Sequence, residues 1–272
     1  LYPLYVAYSL YRPLLDLYKE KHAIDDPDNV AISEEQAIWD TIIKKNLYVI
    51  CNTDMAARIT YRTLAGYREI QGVDTSTINE EHYIKGMHIV SDKLVAKAID
   101  DKDALIKEIK TEGYWYNNKE DKKEMNFNAV VGNPPYQMTV AKKDTDNGQK
   151  RVSSIFQHFQ MLSDEISNYS SLIYPGGRWI HRSGKGMAQF GLSQINDPKL
   201  KLMLFFPDAN EIFEEAGISD GISIVMKDMH KEQQGFDYIY SVKGLTQQIK
   251  MECPGETLMT LNPFDSIIVD CI

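Results

Sequence analysis

"NFNAVVGNPPYQ", residues 126–137, is the stretch on which the rest of the chain turns. The apolar and small residues from Phe127 to Val131 fit a strand. They run straight into Gly132, Asn133, two prolines and Tyr136. Adjacent prolines remove two backbone donors and stiffen the chain. The residue before a proline is held toward an extended conformation. The stretch therefore predicts a strand that ends in a rigid, exposed polar corner. Asn133 offers a side-chain acceptor and an amide donor there, and the Pro134 carbonyl is an acceptor of fixed direction. Tyr136 adds a flat aromatic face. Two acceptors beside a stacking surface suit a planar base that carries an exocyclic amine.

Outward from that corner, strand and helix patterns alternate. "YPLYVAYSLYRPLLDLYKE" reads as a largely buried helix with Pro13 as a kink, and "SEEQAIWDTIIKKN" as a second helix capped by Ser33. Leu47 to Cys51 is a short strand, followed by a helix that Asn52 or Thr53 can cap. "HYIKGMHIVSDKLVAKAIDDKDALIKEIKTEG" holds two helical stretches, the second ended by Gly113. Polar "MTVAKKDTDNGQKRVSS" reads as a loop over the site. "SSIFQHFQMLSDEISNYS" is an amphipathic helix with Ile155, Phe159, Leu162 and Ile166 on one side. "SLIYPGG", "LKLMLFF" and "GISIVMKDMH" read as strands. The expected fold is α/β and Rossmann-like, a mainly parallel sheet with helices on both faces. Residues 1–230 form its catalytic domain, and 231–272 a strand-rich C-terminal extension.

Bulk properties narrow the function. The 272 residues hold 43% hydrophobic and 25% charged side chains, as ordinary globular domains do. A net charge of −9 leaves any nucleic-acid contact to a local basic patch. Arg178, Arg182 and Lys185 in "YPGGRWIHRSGKG" form such a patch and are candidates for DNA phosphates. Trp179 beside them reads as packing, Asp208 as part of a connection, and Asp220 with Gly221 as a turn into a strand. Cys51, Cys253 and Cys271 have neither disulfide nor zinc spacing, and no metal site is expected. No apolar run is long enough for a membrane span, so no membrane partner and a cytoplasmic location are expected.

The phrase "FNAVVGNPPYQ", with "SSIFQHFQMLSDEI", "LIYPGGRWI" and "FFPDANEIFEEAGISDGISIVMKD", resembles the catalytic domain of adenine-specific DNA methyltransferases. The closest likeness is to enzymes that combine restriction and modification on one polypeptide. The resemblance implies transfer of a methyl group from S-adenosylmethionine to adenine N6 in double-stranded DNA. It implies that Asn133 and the Pro134 carbonyl hold the target amine, Pro135 stiffens the corner, and Tyr136 stacks on a flipped base. An endonuclease and a recognition domain on the same polypeptide are implied partners.

Two departures from the family pattern bear on the donor site. No D-P-x-x-G-x-G phrase occurs, and the chain reads as a fragment that starts after that glycine-rich loop. In "LYVICNTD", Cys51 stands where relatives carry an acidic residue for the donor's ribose, so Asn52 and Asp54 are the candidates to replace it. Asp92 in "HIVSDK" is a candidate for the wall on the adenine side of the donor. Weak binding of S-adenosylmethionine is the expectation. Two other readings stand beside the methyltransferase: a DNA-recognition or assembly module with a degenerate cofactor site, and a related enzyme acting on RNA or protein glutamine.

Overall fold

The structure is a computed structural model. It describes residues 2–24, 30–65, 86–116, 120–140, 151–182, 186–215, 217–252, 255, 259–263 and 265. Lys185, Cys253 and Cys271 lie outside them. The chain divides into two compact units, residues 1–100 with 107–125, and residues 101–106 with 126–272.

The first unit opens with helix α1 (Tyr2–His22), which runs through Pro13 to a basic last turn. It is less buried than expected, because one face does the packing. Ala7 is fully buried, with Leu4 and Tyr11 against a cluster that includes Trp39 and Ile42. Tyr5, Leu10, Leu14 and Leu17 stay exposed. Helix α2 (Ile32–Thr41) starts from Ala31 in an extended conformation with no side-chain cap. Ser33, the expected cap, is inside the helix, whose first turn gains instead from the carboxylates of Glu34 and Glu35. Ile42–Asn46 continue as a π-helical turn.

Strand β1 (Tyr48–Cys51) pairs in parallel with β2 (His88–Ser91), Tyr48 opposite His88 and Cys51 opposite Ser91. The Asp92 amide carries the ladder one step on by donating to the Cys51 carbonyl (2.9 Å). Helix α3 (Asp54–Ala65) follows β1. Thr53 caps it, its hydroxyl accepting from the Ala56 amide (3.1 Å). After β2 come α4 (Leu94–Asp100), α5 (Lys102–Ile109) and the short α6 (Glu112–Trp115). The second expected helix thus ends before Gly113, which is buried inside α6. His88 is buried, its ring stacked on Tyr48 at 4.1 Å and meeting Tyr116 edge-on at 4.7 Å.

The second unit is built on a six-stranded sheet in the order β10-β9-β7-β8-β6-β3. Its strands are β3 (Phe127–Gly132), β6 (Ser167–Pro175), β7 (Leu200–Phe206), β8 (Ile222–Asp228), β9 (Phe236–Val242) and β10 (Leu245–Met251). The sheet is mixed, not mainly parallel. β3–β6 and β7–β9 pair in parallel, whereas β8 runs against both β6 and β7, and β10 against β9. Hairpin connections such as Lys243–Gly244, both at positive φ, reverse the chain and rule out an all-parallel order. Residues 236–251, expected in an extension, supply two strands of this sheet.

The two ends of the polar stretch after Tyr136, read as a loop, pair as an antiparallel ribbon of β4 (Gln137–Val140) and β5 (Arg151–Ser154), with Gln137 opposite Ser154, while residues 141–150 lie outside the described residues. Helix α7 (Phe156–Ile166) buries Phe159, Leu162 and Ile166 as the periodicity requires, with Ile155 buried just ahead of it. After β6 come α8 (Gly177–Ile180) and α9 (Met187–Ile195). Gly191 of α9 has no room for a side chain, since a Cβ there would lie 1.9 Å from the Trp179 carbonyl oxygen.

One charged group is fully enclosed. Lys227 on β8 has no exposed side-chain surface and donates to Asp164 and to Asp197, each at 2.7 Å. Gln160 joins the network by donating to Asp164 (2.7 Å) and accepting from the Tyr174 hydroxyl (3.0 Å). Burial raises the Asp164 carboxyl above its ordinary value, and Lys227 pulls against that. The cation is what permits two carboxylates to stay in this place.

Candidate functional site

The corner Asn133–Tyr136 stands at the carboxyl end of β3, an edge strand whose last residue, Gly132, is in register with Leu172 of β6. β3, β6 and β7 run the same way, so this edge also receives the turns after Pro175 and Phe206. Ligands of open α/β sheets bind outside strand carboxyl ends. Asn133 and Pro135 are exposed, and Pro134 and Tyr136 are half-buried. The strand supplies the rigid base and the diproline prevents the corner from relaxing into helix.

Tyr136 is more enclosed than a free stacking platform. Its ring packs on the core cluster that contains Phe156, Leu172 and Tyr174, and its hydroxyl is buried without a hydrogen-bond partner. Burial pushes the phenol up to about 12. The nearby Asn133 side chain pulls it down more weakly, short of hydrogen-bond geometry. Tyr136 is therefore a neutral phenol at every pH the protein meets. Its carbonyl is fixed from the other side, accepting from the Ile155 amide at 3.0 Å.

The basic patch follows β6. The Gly177 amide donates to the Asp220 carbonyl (2.7 Å), and Arg178 Nε lies 2.8 Å from Asp220 Oδ2 while half its side chain stays exposed. Sequence reasoning assigned Asp220 to a turn and missed this pairing, because the partner lies far along the chain. Gly221 makes that turn at φ 62°, where a Cβ would meet the Phe206 carbonyl oxygen at 2.5 Å. Arg182, half-buried, holds φ 55°, a conformation a non-glycine residue adopts at a cost. Trp179 is fully buried in the core, as packing requires. Asp208 accepts from the Asn210 amide (3.0 Å) and so caps the short 3-10 turn Ala209–Glu211.

The residues assigned to the donor lie in the first unit, at the carboxyl ends of β1 and β2. Cys51 does not face solvent. It is buried with Sγ 3.8 Å from the Thr60 hydroxyl, and burial raises its thiol. Side chains alternate along a strand, and Cys51 takes the inward place. Asn52 and Asp54 are exposed just beyond it, so their oxygens are open to a vicinal diol. Asp92 is already engaged, its Oδ2 accepting from Lys97 (2.9 Å) and Tyr114 (2.8 Å). Burial alone would raise that carboxyl, but these two bonds outweigh it and hold it below the ordinary range. Among the described residues no His, Cys, Asp and Glu cluster could hold a metal, and no helix is long and apolar enough to cross a membrane.

The family model of the Eco57I restriction-modification methylase matches residues 45–213, well over half of the chain. The chain belongs to that family. The Eco57I match takes in the ends of β1 and β2, the Asn133–Tyr136 corner and the turn after β6. Among solved structures, the chain is similar to the ATP-dependent Type ISP restriction-modification enzyme LlaBIII bound to DNA, at 15% identity and a TM-score of 0.49. That likeness covers 93% of this chain and 19% of that one. A nuclease-deletion mutant of the Type ISP enzyme LlaGI, in complex with a DNA substrate mimic, gives 14% identity and a TM-score of 0.47 over 94% and 21% of the two chains. The modification subunit of a putative type I restriction enzyme from Vibrio vulnificus YJ016 gives 10% and 0.42 over 89% and 43%. The chain thus spans about a fifth of the length of the two Type ISP enzymes. No curated protein matches.

Proposed function

We propose that this chain is the methylating part of a restriction–modification enzyme, and that it directs a methyl group onto adenine N6 in double-stranded DNA. The observation that carries the reading is the diproline corner on an edge strand, with Asn133 exposed beside a partly covered tyrosine ring. An adenine amine is a poor nucleophile because its lone pair is delocalised into the ring. Asn133 Oδ1 and the Pro134 carbonyl, each accepting one N6 proton, favour a more tetrahedral nitrogen. They also stabilise the positive charge that develops on it, so positioning and electrostatics carry the step. The base must leave the helix to reach them, and stacking on the uncovered part of the Tyr136 ring offsets some of that cost.

S-adenosylmethionine supplies an electrophilic methyl when bound. Asn52 and Asp54 fit its ribose hydroxyls, since both are exposed acceptors at the end of a parallel strand. Cys51 does not fit, and Asp92 serves by shaping the end of β2 with its amide and its two side-chain bonds. Arg178 and Arg182 approach phosphate at the same edge as the corner. The enzyme works with an endonuclease and a recognition domain on one polypeptide, in the cytoplasm.

The test is transfer of labelled methyl from S-adenosylmethionine to unmethylated DNA, RNA or protein by the parent polypeptide. DNA is the expected acceptor, with the label recovered as N6-methyladenine. N133A is expected to lower transfer about 100-fold with its melting temperature unchanged. Label in RNA or in glutamine, or near-normal turnover by N133A, overturns the reading.

A further inference from the structure

Two buried polar atoms near the corner have no partner: the Tyr136 hydroxyl and Gln157 Oε1. They flank one small knot of backbone. Tyr136 accepts from the Ile155 amide, Gln137 pairs with Ser154, and Gln157 Nε2 donates to the Ser154 carbonyl at 2.9 Å. That last bond fixes the Gln157 carboxamide and so fixes where its oxygen is presented. A buried donor or acceptor left unpaired is destabilising. One is a hydroxyl that can donate and the other an amide oxygen that accepts, and both side chains leave from the paired backbone of residues 136–137 and 154–157.

We propose that Gln157 is a positioning residue: its carboxamide oxygen receives the Tyr136 hydroxyl when the ring turns to present its face to the substrate base. The two groups are complementary, a neutral phenol that donates and an amide oxygen that accepts. Gln157 lies in the first turn of α7, whose entry residue Ile155 already holds the Tyr136 backbone. Backbone clamp and side-chain clamp therefore come from the same three residues. Closing the pair removes both orphans at once and holds the hydroxyl end of the ring against swinging back. The partner is gained only in the complex, where a fixed ring holds the base in line for transfer and so acts on kcat. This role rests on the methyltransferase reading for its substrate, but the pair itself is a statement about two side chains.

The experiment is a double-mutant cycle in the parent polypeptide with Y136F, which removes the hydroxyl, and Gln157→Met, which removes the acceptor together with the bond to the Ser154 carbonyl. Each single variant is expected to lose about tenfold in kcat for methyl transfer to unmethylated DNA, and the double variant no more than either single one. In parallel, 3-fluorotyrosine at position 136 is followed by fluorine NMR with and without that DNA. Addition of DNA is expected to shift its resonance to a different position in the wild type than in Gln157→Met, because only the wild type forms the hydroxyl bond. Independent effects in the cycle, or a resonance indifferent to Gln157, overturn the pairing while leaving methyl transfer intact. Should the parent transfer no methyl to DNA, the functional reading falls, and the resonance still decides the pair.

Discussion

Tyr136→Ala and Asn133→Ala remove different things from the same corner. On the proposed reading, alanine at 136 deletes a stacking surface worth about 1–3 kcal/mol per base, so DNA affinity and kcat together are expected to fall by about 5- to 150-fold. It also opens a hole against Phe156 and Leu172, so its melting temperature drops, whereas that of N133A does not. Comparing the two melting curves with the two rates separates chemistry from packing. A second residue-scale prediction concerns His88, buried between Tyr48 and Tyr116 with neither ring nitrogen bonded. Burial lowers its pKa, with the Leu47 backbone and Glu112 resisting only in part. The unfolded chain therefore takes up a proton near pH 6.5 that the folded one refuses. Stability from this group is present above that pH and is lost as the pH falls below it. Urea midpoints at pH 7.5 and 5.5 should differ more for the wild type than for His88→Phe. Much of the corner was readable from residues alone, because proline and asparagine constrain local geometry. The covered tyrosine and the Asp220 partner of Arg178 were not, since both depend on residues far along the chain.

At the scale of elements, α8 and α9 are held close by the absence of a side chain at Gly191. A methyl group there would overlap the Trp179 backbone, which cannot yield as a flexible side chain can. Gly191→Ala should lower stability by about 1–3 kcal/mol despite raising helix propensity, readable in a thermal melt. Strands β3, β6, β7 and β8 were visible in the sequence because each is a short apolar run between turn residues, even β3 at the sheet edge. The ribbon of β4 and β5 was hidden because its residues are polar, and its stability comes from cross-strand pairing that periodicity does not record. The exposed flank of α1 was hidden for the opposite reason: tyrosines and leucines line several faces of one helix, and composition cannot say which face packs.

On the scale of the whole molecule, the Asp164–Lys227–Asp197 group ties the end of α7 and the turn before β7 to the middle of the sheet. Lys227→Met leaves two carboxylates enclosed without a cation and should cost about 3–5 kcal/mol at neutral pH. Asp164 already holds its proton more tightly in the folded state than in the unfolded one. Without Lys227 that preference grows, so acid favours the folded variant and its deficit should shrink between pH 7.5 and pH 4.5. Chemical denaturation at the two pH values measures this. The alternation of strand and helix revealed an α/β protein but not the order of its strands. A lysine inside "ISIVMKD" reads as an ordinary strand end, and only the fold shows that it is enclosed.

The reversed strand β8 carries one more consequence. It lies between β6 and β7, both of which precede it in the chain, and β9 later takes the other flank of β7. During synthesis on the ribosome, β3 and β6 emerge before β7 but have nothing to join them to it until residue 228 has left the exit tunnel. A nascent chain halted before that point presents two open strand edges to its surroundings. Chaperone dependence should therefore peak while β8 is still being made, after the residues of the corner have left the ribosome.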